Sequence, residues 1–178
     1  MKTAFVDVDS QLDFLYPAGA LYVPGAERIV PAIGKLNRFA AAHGIPVIST
    51  ADAHAENDPE FSRWPPHCVA GTWGQRKPQA TLLGGAQQIL VEKQTVDVFQ
   101  APNFTHVIQT LGARNFVVYG VVTEICVLFA ARGLLKLGHS VTIVTDAVKE
   151  LSDTGSRQAL NELCAAGAKL ATATEVTS

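Results

Sequence analysis

No run of lysine or arginine occurs anywhere in the chain, and charged residues make up only 17% of its 178 positions. With a formal net charge of −2 and a pI near 6.2 there is no basic field to hold a phosphate backbone, so nucleic acid is not an expected partner. Long apolar runs are also missing. None reaches the roughly 18–20 residues that span a bilayer, and the first residues lack a basic stretch followed by an apolar segment and a small-residue cleavage site. No membrane association is expected, and a cytoplasmic setting is. Cysteine is scarce: Cys68, Cys126 and Cys164 are odd in number and widely spaced, which suits reduced thiols better than a disulfide framework. Glycine is absent where a dinucleotide-binding fold needs it, because the first apolar segment runs into Asp7-Val8-Asp9-Ser10-Gln11-Leu12-Asp13-Phe14 and no glycine follows until Gly19.

What the chain does have is 48% hydrophobic residues in the size range of one globular domain, so residues 1–178 read as a single domain with a sizeable core. Five short segments rich in β-branched residues, 4–8, 46–50, 88–92, 115–119 and 141–145, predict strands, with 169–172 a weaker sixth. Between them apolar residues recur at helical spacing, as in Ile29, Ile33, Leu36 and Phe39 before Gly44, and Phe104, Val107, Ile108 and Leu111 before Gly112. Gly138 and Gly167 stop two further helical stretches, 123–137 and 153–166. Strand–helix alternation with nearly continuous apolar strands predicts an α/β fold. Its expected form is a three-layer α/β/α sandwich around a central, mostly parallel sheet of about six strands, with Rossmann-like topology. Ligands bind such sheets at the carboxyl ends of the strands. The irregular stretch 51–80, with four prolines and both tryptophans, breaks the rhythm and is of a length that ordered functional loops have. A mean hydropathy of +0.18 hints at apolar helix faces that self-associate, and a homo-oligomer is expected.

Four strand ends carry reactive side chains. Asp9 leaves the first strand, where an isolated aspartate is as readily a turn or cap residue. Asp52 and His54 leave the second at i, i+2 spacing, which points both to one side, and His67 returns along the loop; together they make a possible facial set for a divalent metal, or three ordinary loop residues. Lys93 ends the third, a position where a lysine is usually solvated. After the fourth, Cys126 falls in the first turns of a helix, where N–H groups and the positive end of the dipole are expected to depress its pKa and raise its nucleophilicity. Cys164, on the apolar side of the last helix, reads as a small buried hydrophobe. No histidine neighbours Cys126 in sequence, so Asp9 is the better base candidate. A phosphoacceptor receiver module shares the acidic first-strand exit and a strand-end lysine. It needs an aspartate where Lys93 stands and has no use for Cys126 or the histidines.

These segments, together with Asp52-Ala53-His54-Ala55-Glu56-Asn57-Asp58-Pro59-Glu60-Phe61, Trp64-Pro65-Pro66-His67-Cys68-Val69-Ala70-Gly71-Thr72 and Gly120-Val121-Val122-Thr123-Glu124-Ile125-Cys126-Val127, resemble the isochorismatase-like cysteine hydrolases over nearly the whole length, most closely their nicotinamidase branch. The resemblance implies a triad of Asp9, Lys93 and Cys126, and one divalent ion, zinc first with iron or manganese as alternatives, on Asp52, His54 and His67. It also implies a cis peptide at Val121-Val122, an oxyanion hole from the N–H groups of Val122 and Cys126, and a ring pocket lined by Phe14 and Trp64. Members that act on isochorismate lack the cysteine, so Cys126 favours a small-molecule amide or imide as substrate. Nicotinamidases usually follow the lysine with a Tyr-Ser element. Here Lys93-Gln94-Thr95-Val96-Asp97-Val98-Phe99 lacks it, which makes Phe99, or else Phe104, the expected pocket wall and leaves other small amides, carbamoyl or ureido compounds as alternatives to nicotinamide. A catalytically silent binding member is a further alternative, against which all three triad positions are filled.

Overall fold

The computed structural model describes residues 2–84 and 87–178. Six strands, β1 (Thr3–Val8), β2 (Val47–Asp52), β3 (Gln88–Lys93), β4 (Asn115–Val121), β5 (Ser140–Lys149) and β6 (Lys169–Ala171), form one wholly parallel sheet in the order β3-β2-β1-β4-β5-β6. The helices are α1 (Leu12–Leu15), α2 (Val30–Ala42), α3 (Pro102–Leu111), α4 (Leu128–Lys136), α5 (Asp153–Ala165) and α6 (Ala173–Val176). The strand order and the right-handed sense of parallel crossovers place α2 on one face, where it touches α6, and α3, α4 and α5 on the other. This is the expected three-layer sandwich, and among the described residues no helix is long and apolar enough to cross a membrane.

Burial follows strand position. β1, β2 and β4 are buried at nearly every residue because neighbours flank them and helices cover them. β3 alternates, leaving Leu90 56% exposed. The physical reason is that β3 is an edge strand and that, among the described residues, the β2–β3 crossover is a long loop with short 3-10 turns such as Pro59–Ser62 and Gln79–Thr81 in place of a covering helix. The core gathers Phe5, Leu15, Ile33, Ile48, Phe104 and Phe116 around the sheet. Within it Asp7 is fully buried and accepts from Ser10 Oγ (2.6 Å), Asn37 Nδ2 and Ser49 Oγ (3.2 Å each), with Lys77 Nζ 3.3 Å away. A buried carboxylate needs such partners to stay folded in.

Two windings leave the sheet in opposite directions from the β1/β4 pair, which opens a crevice at the carboxyl ends of those strands. Register closes Val8 against Gly120, where a Cβ would stand 2.0 Å from the Val8 carbonyl oxygen, so only glycine lets β4 approach so closely. The next register pair of consequence is Asp52 opposite Lys93 at the ends of β2 and β3.

Candidate active site

Three strand ends and one helix start converge in the crevice. Asp9, at φ 47° in the left-handed region that aspartate tolerates better than most residues, turns the chain out of β1 and buries its carboxylate. Thr50 Oγ1 donates to Asp9 Oδ1 at 2.6 Å, and Lys93 Nζ lies 2.9 Å from Asp9 Oδ2. The same ammonium pairs with Asp52 Oδ1 and reaches Cys126 Sγ at 3.9 Å. One lysine therefore ties both carboxylates to the thiol. Cys126 lies in a π-helical turn, Thr123–Val127, that precedes α4. The Val121-Val122 peptide is cis. The Val122 carbonyl accepts from the N–H groups of Ile125 (3.0 Å) and Val127 (3.1 Å), skipping that of Cys126 between them.

The electrostatics differ from the expectation in one respect. Burial pushes the Cys126 thiol well up; the Lys93 ammonium opposes this, while Asp9 and Asp52 add to it. The expected depression by a helix start is overridden because the sulfur is buried beside two carboxylates. Burial also raises Asp9, against Lys93 and with Asp52, making it a stronger base than an ordinary carboxylate. For Asp52 burial acts upward but Lys93 and His54 outweigh it and hold it low. Burial acts downward on Lys93, and Asp9, Cys126 and Asp52 together lift it well above the usual range, so the ammonium stays charged.

Beside this cluster Asp52 turns Oδ2 toward both imidazoles, 3.8 Å from His54 Nε2 and from His67 Nε2. A parallel bridge between His54 and Val69 brings the two histidines together: His54 N–H donates to the Cys68 carbonyl and Ala70 N–H to that of His54. Of the far nitrogens, His67 Nδ1 is hydrogen-bonded to the Pro65 carbonyl oxygen at 2.8 Å, and His54 Nδ1 lies 3.0 Å from Asp58 Oδ2 without hydrogen-bond geometry. His54 Nε2 is buried without a hydrogen-bond partner, and donor atoms of Asp52, His54 and His67 lie within 4.8 Å of one another. An orphaned imidazole nitrogen facing a carboxylate and a second imidazole fits a divalent ion, with the outer contacts fixing the rings as metal sites require.

Sequence reasoning missed several supports. The Gln11 side chain clamps Asp52, donating to its carbonyl (2.8 Å) and accepting from its N–H (2.7 Å), and also donates to the Gln75 carbonyl (2.8 Å). Asp13 Oδ2 accepts from Cys68 N–H at 2.7 Å, fixing the backbone just beyond His67. Both lie in the Asp7–Phe14 segment, at i+2 and i+4 from Asp9, which was the available signal. Cys68 itself is fully buried, and burial pushes its thiol far up. Cys164 is exposed, contrary to the expectation of a buried hydrophobe, because α5 turns that position outward.

A narrow cavity opens over Cys126. Phe14 and Trp64 line it, together with Asp9, Asp52, Glu60, His67, Val122 and Ile125. Neither Phe99 nor Phe104 lines it. The Phe99 ring packs against Phe104, centroids 5.0 Å apart, and over Gly133, where a Cβ would stand 2.0 Å from the ring; Val96 and Leu151 supply the wall instead. Glu60 had no sequence signal of its own: it is half-buried, raised by burial, and grouped with His54 and Asp58.

The model of the isochorismatase domain matches residues 3–175. Among characterised relatives, the nicotinamidase of Escherichia coli is 26% identical over 95% of this chain and 94% of its own length. Among solved structures, the pyrazinamidase of Pyrococcus horikoshii in complex with zinc superposes with a TM-score of 0.89 at 28% identity, covering 97% of this chain and 99% of its own. The N-carbamoylsarcosine amidase of Thermoplasma acidophilum does so with 0.86 at 26%, covering 97% of each. With fold, strand-end cluster and domain match in agreement, the chain belongs to the isochorismatase family.

Proposed function

We propose that the chain is a metal-dependent cysteine amidohydrolase acting on a small, neutral heteroaromatic carboxamide, with nicotinamide the best fit. The observation that carries this reading is the Lys93 ammonium, which joins Asp9, Asp52 and Cys126 in one buried cluster beneath an apolar cavity. Asp9 takes the thiol proton and the Cys126 sulfur attacks the carboxamide carbon. The oxyanion that forms is held by the N–H groups of Val122 and Cys126. Asp9 returns the proton to nitrogen, ammonia leaves, and a thioester remains. Asp9 then deprotonates a water that attacks the thioester; the sulfur departs as thiolate, the acid is released, and Asp9 passes the proton taken from water to the sulfur, restoring thiol and carboxylate. Lys93 keeps the cluster at a fixed charge throughout. A divalent ion, zinc first, would sit on Asp52, His54 and His67 and supply a Lewis acid for a ring nitrogen.

The lining decides among substrates. Among the described residues no arginine or lysine lines the cavity, so the chain offers no side-chain cation to the carboxylate of a ureido acid. Phe14 and Trp64 offer flat apolar surfaces to a ring. The test is ammonia release from nicotinamide, pyrazinamide and a series of N-carbamoyl amino acids by the zinc-loaded protein. Turnover of the ring amides is expected; turnover confined to the ureido acids overturns the reading.

A further inference from the structure

Glu124 stands two residues before Cys126 in the same π-helical turn, and the chemistry above makes no use of it. Its Oε1 accepts from the N–H groups of Leu151 (3.1 Å) and Ser152 (2.8 Å), in the segment joining β5 to α5. Ser152 caps α5 by accepting from Gly155 N–H, and Gly155 leaves room for the glutamate, since a Cβ there would come 3.3 Å from Glu124 Cγ. Leu151 is 45% exposed yet lines the cavity, as does Ile125 beside Glu124. The second carboxylate oxygen, Oε2, is buried with no hydrogen-bond partner. A carboxylate is thus held beneath a short connection whose apolar residue forms part of the cavity wall.

We propose that Glu124 is a positioning residue that tethers Leu151 across the cavity mouth, so that the outer wall is fixed to the turn carrying the sulfur. The wall touches a part of the substrate remote from the reacting carbon, so its loss weakens ground state and transition state alike. Glu124→Ala is then expected to raise KM for nicotinamide about five- to tenfold with kcat within about twofold, and Leu151→Ala to do the same. The double variant is expected to match Leu151→Ala alone, because both act through one side chain. Glu124→Gln keeps an acceptor for both N–H groups and restores KM. Hydrogen exchange at the amides of Leu151 and Ser152 reads the tether without reference to activity: faster in Glu124→Ala, unchanged in Glu124→Gln. Glu124→Met, long but without an acceptor, serves where Glu124→Ala does not fold. The kinetic part rests on the proposed amidase activity, whereas the exchange part does not, so failure of either is distinguishable. Unchanged exchange on loss of the carboxylate, or KM effects that multiply in the double variant, overturns the tether.

Discussion

At the scale of single residues the account turns on what burial does to charge. Lys93 is the hub, and a neutral side chain there leaves two buried carboxylates facing each other. Lys93→Met is expected to cost about 3–5 kcal/mol of stability, read from urea unfolding, because both buried carboxylates lose the cation that pairs them. A loss below about 1 kcal/mol would mean the cluster is hydrated rather than paired. Asp9 supplies a sign that can be checked. Its folded pKa is raised above 3.8, chiefly by burial, so the folded state holds its proton more tightly than the unfolded chain. Its contribution to stability is therefore most favourable in acid, declines as pH rises through the window above 3.8, and is fully lost above the folded value. Asp9→Asn is expected to abolish turnover while keeping or raising the thermal midpoint at neutral pH; a midpoint several degrees lower would contradict that sign. The sequence displayed Asp9, Lys93 and Cys126 by their strand-end places, but it could not display the direction of the cysteine's shift. That direction depends on two carboxylates brought in from other strands.

At the scale of elements, glycine stops and apolar spacing marked every long helix, and β-branched runs marked all six strands to within a few residues. Two elements were not legible. The five residues Thr123–Val127 carry ordinary helical spacing yet wind as a π turn, which follows the close β4 approach at Gly120. The wall position was misread for a related reason: Phe99 has the size for a pocket wall, but Gly133 on α4 offers its ring a place in the packing, and the smaller Val96 faces the cavity. The loop 53–80 holds His67 through its attachments to the β1 exit as well as through the His54–Val69 bridge. Asp13→Ala removes the acceptor of the Cys68 N–H, and is expected to weaken zinc binding about tenfold, as outer-shell losses do, when measured by chelator competition. Unchanged affinity would show that the His54–Val69 bridge alone positions the ligand.

At the scale of the whole molecule, the sheet order decides where chemistry is done. β1 and β4 lie side by side at the centre, so the carboxylate leaving one and the thiol following the other meet in the crevice between the two windings. Asp52 and Lys93 meet because β2 and β3 are in register at their ends. Such convergence was legible in the sequence only through strand–helix alternation and the family resemblance, since spacing along a chain carries no information on which strand ends are neighbours. The family match and the sandwich fold do not by themselves separate an active amidase from a silent relative; the cluster at the crevice carries that distinction. The most direct test is ammonia release from nicotinamide by the zinc-loaded protein and by Cys126→Ala, with circular dichroism on both. Steady release by the first, loss of at least about a thousandfold in the second, and superimposable spectra are expected. Release by Cys126→Ala at a rate near that of the parent would contradict it.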